Sequence, residues 1–245
     1  MKERYTLEDS ELFNIDCREF LKEKPEFINL VITSPPYNNG IEYDVYNDKR
    51  DYLDYLDFIY QCFESVYKCM VKNSMLCVNI GRNYNINIPS HFNHIFEEIG
   101  FKFYCSIIWQ KPVGSAVPSA ICKEGFPRYQ PYCVTEDILV YYTKGFLPNF
   151  IPNKEIMRLR QQFLSNVWKI QPEFSPQHPA IMPKQLAYNL ITFFSKEGDV
   201  VFDPFAGLGT VVITAKENKR IGIGTEISKE YCRIGNLQLK QFLLF

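Results

Sequence analysis

Short apolar strand patterns that alternate with amphipathic helical patterns limit the fold of this chain more than any other feature. Six apolar, β-branched runs bounded by turn residues predict strands at 27–33, 74–80, 103–109, 137–143, 199–203 and 220–224. Apolar residues at helical spacing predict helices at 51–71, 90–99, 183–195, 208–218 and 228–244. The strand runs are almost continuously hydrophobic, which is typical of strands covered on both faces. We therefore predict an α/β fold with a doubly wound, mostly parallel sheet.

Two segments interrupt this alternation. Residues 38–50 are polar and rich in tyrosine without a sustained period, and we expect a mobile loop that orders when substrate binds. Residues 112–177, apart from the strand at 137–143, concentrate Pro, Gly, Arg and aromatic residues, and neither flank has the composition of a linker. We predict one domain over 1–245, with 112–177 as a region inserted on the sheet.

Composition and residue counts exclude several classes of protein. Hydrophobic residues make up 46% and charged residues 22% of the 245 residues, which excludes a disordered or collagen-like chain. An uncharged apolar run of about 18 residues is absent and the first residues are charged, so we expect a cytoplasmic protein without membrane contact. The 8 cysteines form no C-x-x-C pair and only 3 histidines are present, so we expect reduced thiols and no bound metal.

Charge is unevenly distributed along the chain although the net charge is only −1. Residues 1–60 carry 7 Lys and Arg against 14 Asp and Glu, whereas residues 111–171 carry 8 against 4. The middle of the chain is therefore the part that would tolerate a phosphate backbone. Such an asymmetry also occurs on ordinary solvated surfaces, so charge alone leaves both interpretations open.

An acidic, glycine-rich segment follows the strand predicted at 199–203. It reads Asp203-Pro204-Phe205-Ala206-Gly207-Leu208-Gly209-Thr210, and the next strand ends at Gly224-Thr225-Glu226. Glycines after a strand let a ligand approach the backbone, and an acid at the end of the next strand can accept both hydroxyls of a ribose. The third glycine of a dinucleotide site is missing, and Asp203 would repel phosphate but suit a cationic amino-acid end. These features favour S-adenosylmethionine over NAD or FAD, whereas the glycines alone would also suit a simple turn.

A second motif, Thr33-Ser34-Pro35-Pro36-Tyr37, lies at the end of the strand predicted at 27–33. The two prolines have no N–H, so the segment offers carbonyls and a hydroxyl without competing backbone donors. The Ser34 hydroxyl and the Pro35 carbonyl could hold both hydrogens of a nucleobase amine, and Tyr37 could stack on the base. By itself such a segment is also typical of a rigid surface turn.

Together, and in this order, the two motifs resemble those of the circularly permuted β-class of DNA amino-methyltransferases, with His178-Pro179 before the glycine loop. The resemblance covers nearly the whole chain and implies a Rossmann-like methyltransferase sheet, S-adenosylmethionine as cofactor and a flipped target base. It implies catalytic roles for Ser34, Pro35, Pro36 and Tyr37, and cofactor binding by Asp16, Cys17, His178, Asp203, Phe205, Ala206, Gly207, Gly209, Thr210 and Glu226. Two residues depart from the family pattern, namely Leu208 in place of a serine and Ile15 in place of the glycine that usually precedes the N-terminal Asp.

The identity of the target base depends on the first residue of the Ser-Pro-Pro-Tyr motif. Serine resembles the cytosine-N4 enzymes, whereas aspartate is usual in adenine-N6 enzymes, so we predict site-specific cytosine-N4 methylation with adenine-N6 as the alternative. A methyltransferase-like module that binds nucleic acid without turnover is a second alternative. Cytosine-C5 chemistry requires a cysteine nucleophile, typically in a Pro-Cys dipeptide that this chain lacks.

The positive middle segment contains the residues that we predict to contact double-stranded DNA. These are Lys111, Arg128, Arg158, Arg160 and Lys169. Each could bind a phosphate or belong to the solvated face of an amphipathic element. The resemblance further suggests restriction-modification, with a cognate restriction endonuclease and a homodimer as partners.

Overall fold

Eight strands form one sheet within residues 9–81, 86–112, 133–147 and 154–241, the parts of the chain that the computed structural model describes. The strands are β1 (Glu11–Phe13), β2 (Ile28–Thr33), β3 (Met70–Ile80), β4 (Lys102–Gln110), β5 (Thr135–Tyr142), β6 (Val167–Lys169), β7 (Val200–Asp203) and β8 (Ile221–Thr225). Their order across the sheet is β1-β8-β7-β2-β3-β5-β4-β6. All six predicted strands are present. The two that the sequence did not predict, β1 and β6, have only 3 residues each, too few for a pattern.

The sheet is mostly parallel, as predicted. Strand β5 runs antiparallel to both of its neighbours, β3 and β4. The other five pairs of neighbouring strands are parallel. The antiparallel strand brings its first residues to the edge where the parallel strands end.

Helices cover the sheet. They are α1 (Cys17–Leu21), α2 (Tyr52–Cys69), α3 (Ile88–Ile99), α4 (Lys154–Gln162), α5 (Lys184–Phe194), α6 (Thr210–Glu217) and α7 (Lys229–Gln241). Five of them match predicted helices, whereas α1 and α4 were not predicted. None of the helices in the described residues is both long enough and apolar enough to cross a membrane.

Strand β2 shows why the sheet needs helices on both faces. Val31 packs into an apolar cluster with residues of α2 and α3. Leu30 and Ile32, which point the other way, pack into a second cluster with residues of α5. All three side chains are completely buried, which accounts for the continuous hydrophobicity of the strand and confirms the doubly wound arrangement.

Part of the region that we predicted as an insertion belongs to the main sheet. Strand β5 lies between β3 and β4, and β6 pairs with β4 at the sheet edge. Residues 113–132 and 148–153 lie outside the described residues. An insertion that recognises the target therefore stays a prediction, and it concerns the segments around β5 and β6.

The order of the strands brings the two sequence motifs together. Strands β2 and β7 are parallel neighbours, with Leu30 opposite Val201 and Val31 opposite Phe202. The Ser-Pro-Pro-Tyr motif follows β2, and the glycine loop follows β7. Because parallel strands end at one edge of the sheet, both motifs lie at that edge, which is where open α/β sheets bind ligands.

Candidate active site

A cavity of about 490 Å³ opens at this edge of the sheet, within the size range of small-molecule sites. Residues of both predicted motifs line it. The predicted site residues in its wall are Asp16, Cys17, Ser34, Pro35, Pro36, Tyr37, Lys111, His178, Asp203, Phe205, Ala206, Gly207, Thr210 and Glu226. The structure thus brings together segments that lie far apart in the sequence.

Asp203 connects the two motifs. Its carboxylate accepts a hydrogen bond of 2.6 Å from the Thr33 hydroxyl and one of 3.0 Å from the backbone N–H of Phe205. The residue is only 4% exposed, and this burial raises the pKa of the Asp203 carboxyl to about 7. Near neutral pH the group therefore populates both its neutral and its charged form.

Glu226 follows β8 and fixes the glycine loop. One carboxylate oxygen accepts from the N–H of Gly207 at 2.9 Å, and the other accepts from the N–H of Ser228 at 2.7 Å. Burial raises the pKa of Glu226, although these backbone hydrogen bonds oppose the shift. Each oxygen has a second lone pair, so the carboxylate can still accept hydrogen bonds from a ligand.

Gly209 does not line the cavity, although the family resemblance implies that it binds the cofactor. Its φ is +83°, a left-handed conformation that favours glycine. A Cβ at this position would lie 2.5 Å from the Leu12 side chain. Backbone conformation and packing thus account for this glycine. Leu208, the departure from the family pattern, lies in the cavity wall instead.

Asp16 and Cys17 lie where the chain enters α1. Asp16 caps the helix by accepting from the N–H of Arg18 at 2.8 Å, and it pairs with the Arg18 guanidinium at 2.9 Å. Burial alone would raise the pKa of Asp16, but the hydrogen bonds from Arg18 outweigh it and lower that pKa. The Arg18 and Arg50 guanidiniums lie 5.1 and 4.7 Å from the centre of the Phe58 ring. Sequence reasoning missed these three residues, which also line the cavity.

His178 lies beside Gly207 of the glycine loop. Its Nδ1 accepts from the N–H of Ala180 at 3.1 Å, so the neutral ring carries its hydrogen on Nε2. A Cβ on Gly207 would lie 3.1 Å from that Nε2, so the imidazole borders the loop closely. Burial lowers the pKa of His178, and its ring centre lies 4.7 Å from that of Tyr231 and 5.8 Å from that of Tyr43. A neutral donor thus faces the cavity.

The Ser-Pro-Pro-Tyr motif is held by hydrogen bonds from several elements. The Tyr55 hydroxyl of α2 donates to the Pro36 carbonyl at 2.8 Å. The Ser34 and Tyr37 hydroxyls are 2.7 Å apart, and the Asn79 side chain donates to the Tyr37 hydroxyl at 3.0 Å. Burial and the nearby carboxylate of Glu136 raise the pKa of Tyr37, so its hydroxyl stays protonated at neutral pH.

Lys111 lies in the cavity wall rather than on a solvated face. Its ammonium forms an ion pair with Glu136 and lies 4.7 Å from the centre of the Trp109 ring. The Glu136 carboxylate also accepts from the Asn79 side chain at 2.6 Å. Asn79 and Glu136 were not among the predicted site residues. For Asn79 the signal that could have found it is a polar residue near the end of an otherwise apolar strand, whereas Glu136 lies at the start of β5.

Three of the other predicted DNA-contacting residues lie outside the cavity. Arg158 and Arg160 are on the exposed side of α4, whereas Ile156 and Leu159 of the same helix are buried. Lys169 is exposed on β6. These residues form the solvated side of amphipathic elements. The remaining residue, Arg128, lies outside the described residues.

The polar segment 38–50 has a defined conformation beside the cavity. The buried Asp48 carboxylate accepts from the backbone N–H groups of Asn38, Asn39 and Ile41 at 2.8–3.0 Å. The Ser228 hydroxyl donates to Asp44 at 2.6 Å, which ties the segment to the end of β8. Hydrogen bonds that converge on one carboxylate leave no periodic pattern, so the sequence could not predict this conformation. Ordering on substrate binding stays a prediction.

Comparison with known proteins identifies the family of this chain. The model of the N6/N4 DNA methylase family matches residues 28–237, which include both motifs. The chain belongs to this family of DNA methylases. Among its relatives, the type II methyltransferase M.MjaI of Methanocaldococcus jannaschii is 31% identical, over 87% of this chain and 86% of its own. The orphan methyltransferase M.BamHII of Bacillus amyloliquefaciens is 28% identical, over 89% of this chain and 90% of its own.

Solved structures agree with this assignment. The protein TTHA0409 of Thermus thermophilus, solved in complex with S-adenosyl-L-methionine, superposes with a TM-score of 0.71 and 26% identity, over 95% of this chain and 93% of its own. The cytosine-N4-specific PvuII DNA methyltransferase superposes with a TM-score of 0.75, over 95% of this chain and 87% of its own. Its sequence is only 21% identical, so this likeness supports the fold alone. This methylase is an S-adenosylmethionine-dependent enzyme of the DNA N4-cytosine and N6-adenine family.

Proposed function

We propose that this methylase transfers the methyl group of S-adenosylmethionine to the exocyclic N4 amine of cytosine, at a specific sequence in double-stranded DNA. The observation that carries the proposal is that the Ser34–Tyr37 motif and the carboxylates of Asp203 and Glu226 line the same cavity. One cavity would thereby hold the methyl donor and the target amine together, which direct transfer requires. The choice of cytosine rests on Ser34, which matches the cytosine-N4 pattern.

The residues of the glycine-loop side suit this cofactor. Bound S-adenosylmethionine supplies an electrophilic methyl group on a positively charged sulfur. Asp203 would pair with the cationic amino-acid end, and Glu226 would accept from the ribose hydroxyls with its remaining lone pairs. His178, with a neutral Nε2–H beside Gly207, can donate to an oxygen of the ligand. Asp16 lines the same cavity and matches the N-terminal Asp that contacts the adenine side of the cofactor in the family that the motifs resemble, and Phe205 is a further lining residue.

The residues of the Ser-Pro-Pro-Tyr side suit an amine. The Ser34 hydroxyl and the Pro35 carbonyl can accept hydrogen bonds from the two amino hydrogens and hold the nitrogen toward the methyl donor. Tyr37 offers its ring to a base face. The amine of a paired base is inaccessible in the duplex, so the target nucleotide must be flipped out, as in other enzymes that act on bases.

Arg158, Arg160 and Lys169 are proposed contacts to the DNA backbone, because they are exposed and belong to the positive part of the chain. The segments within 112–177 are proposed to select the sequence. A homodimer and a cognate endonuclease stay predictions. Removing one phosphate contact should reduce the slope of log affinity against log salt by about one, which tests each residue separately.

The base is identified by incubating the protein with tritiated S-adenosylmethionine and duplex DNA of mixed sequence, then digesting the product to nucleosides for mass spectrometry. We expect N4-methylcytosine, and we expect the Ser34→Ala variant to bind cofactor but to transfer much less label. N6-methyladenine as the product would overturn the choice of base. Absence of label from all DNA would overturn the proposed reaction.

A further inference from the structure

Glu136 belongs to neither sequence motif, yet it ends a chain of hydrogen bonds that begins at Ser34. The Ser34 Oγ lies 2.7 Å from the Tyr37 Oη, and that oxygen lies 3.3 Å from one carboxylate oxygen of Glu136. The other oxygen of Glu136 forms the ion pair with Lys111. The hydroxyl that would touch the target amine is therefore connected to a paired, mostly buried carboxylate.

The neighbours of the Tyr37 hydroxyl determine where its hydrogen points. The Asn79 side-chain amide nitrogen, 3.0 Å away, can only donate to it. The Asn79 backbone carbonyl at 3.1 Å and the Glu136 carboxylate at 3.3 Å can only accept from it. The Ser34 hydroxyl can do either. Since a tyrosine oxygen has one hydrogen and two lone pairs, all contacts are satisfied when Tyr37 donates to the two acceptors and accepts from Asn79 and Ser34.

The opposite orientation of the Tyr37 hydroxyl, with its hydrogen toward Ser34, leaves unfavourable contacts. If Tyr37 donated to Ser34, its oxygen would face the Glu136 carboxylate and the Asn79 carbonyl with no hydrogen in between. Oxygen lone pairs at these distances repel each other, and the repulsion is strongest for a charged carboxylate. The Lys111 ammonium can only donate, so Glu136 acts as an acceptor in this contact as well.

We propose that Glu136, paired with Lys111, is a positioning residue that makes Ser34 accept rather than donate in the cavity. With its hydrogen directed to Tyr37, Ser34 presents only lone pairs to the amine hydrogens of the target base. The proposal rests on the proposed amine methylation. It explains why an ion pair lies inside the cavity and not only on the surface.

The test is the Glu136→Gln variant, which keeps the shape of the side chain. Lys111 would hold the amide oxygen, so the amide NH₂ would face the Tyr37 oxygen and the Asn79 side-chain nitrogen, which donates to this position in the wild type. One of the two acceptors that direct the Tyr37 hydrogen away from Ser34 would then be replaced by a donor. We expect kcat to fall by about 10- to 100-fold, the effect of losing a hydrogen bond to a charged group, with cofactor affinity within about twofold of wild type. The matched control is Glu26→Gln, which breaks the exposed Lys144 ion pair and should leave kcat unchanged.

A double-mutant cycle separates this role from a general loss of structure. If Glu136 acts through Ser34, then Glu136→Gln should reduce kcat little further in a Ser34→Ala background. The proposal would be overturned if the double variant lost kcat by the product of the two single-variant factors. Tyr37→Phe, which retains the ring but interrupts the chain, should show the same non-additivity with Glu136→Gln. It provides an independent test should the glutamine variant fail to fold, which its cofactor affinity and thermal unfolding would reveal.

The two proposals fail in different ways. A wild-type protein that methylates no DNA amine would overturn the proposed function. A wild-type protein that methylates DNA, together with a Glu136→Gln variant of unchanged kcat, would overturn only the positioning role of Glu136. If Lys111 served DNA binding instead, Lys111→Met would raise KM for DNA and leave kcat unchanged, which also contradicts the positioning role.

Discussion

The hydroxyl of Thr33 donates a hydrogen bond of 2.6 Å to the carboxylate of Asp203, a residue 170 positions further along the chain. Thr33 ends the strand before the Ser-Pro-Pro-Tyr motif, and Asp203 ends the strand before the glycine loop. Both residues are buried. This bond joins the half of the cavity suited to an amine to the half suited to a methyl donor, so a displacement of one half is transmitted to the other.

The first prediction concerns the pH dependence of cofactor binding. Burial raises the pKa of Asp203 to about 7, and a cationic ligand favours its charged form. Below that pH the carboxyl must lose a proton before it can pair with the cation, so affinity should fall by up to about tenfold per pH unit. Above pH 8 affinity should be nearly constant. Isothermal titration between pH 5.5 and 8.5 measures this, and Asp203→Asn should bind weakly and without this slope.

The same variant should be more stable than wild type when no ligand is bound. The raised pKa means that unfolded Asp203 releases its proton at lower pH than folded Asp203, so wild-type stability falls as pH rises from about 4 to 7. Asp203→Asn lacks this loss, so its free energy of unfolding should exceed that of the wild type by about 2–4 kcal/mol at pH 8, and by less at pH 5. Thermal unfolding at both pH values measures the difference. An equal gain in stability at both pH values would contradict the raised pKa of Asp203 as its cause.

Glu226→Gln should weaken cofactor binding by about 10- to 100-fold. Glu226 accepts from the N–H groups of Gly207 and Ser228 with different oxygens, so an amide places an NH₂ against one of these donors. The loop would shift, and one acceptor for the ribose would be lost. Glu230→Gln is the control, because Glu230 forms an exposed ion pair with Arg233 and does not line the cavity. Equal affinities of the two variants would remove Glu226 from the ribose site.

Asp48→Ala should disrupt the segment 38–50. Three backbone N–H groups would lose their buried acceptor, at a cost of about 2–4 kcal/mol in folding stability or in local order. Since Tyr43 of this segment contacts His178, cofactor affinity should also fall. Hydrogen exchange of residues 38–50 with and without cofactor measures both effects. It also tests the expectation that the segment orders on binding, which requires stronger protection when ligand is present.

The sequence predicted most of the sheet because β2 and β7 are apolar on both faces and are bounded by turn residues. It also predicted that the ends of these strands carry the site, because the chemistry lies in motifs directly after them. It could not predict that β5 runs antiparallel to its neighbours, since an apolar run has the same pattern in either direction. Glu136 reaches the cavity only because β5 is antiparallel, so sequence reasoning missed it along with the pairing of Lys111.

Tyr37→Ala tests whether the ring of this residue serves the target base. The ring packs against Gly81, where a Cβ would come within 2.6 Å of it, so its position is fixed by the backbone of the strand end. Base stacking is worth about 1–3 kcal/mol, and its loss should lower kcat/KM for DNA by about 5- to 150-fold. Cofactor affinity should change by less than about threefold, and Tyr37→Phe should retain the stacking part of the activity. Fluorescence of 2-aminopurine at the target position reports flipping directly. Equal losses of cofactor affinity and catalysis in Tyr37→Ala would show that the ring supports the cavity as a whole rather than the base.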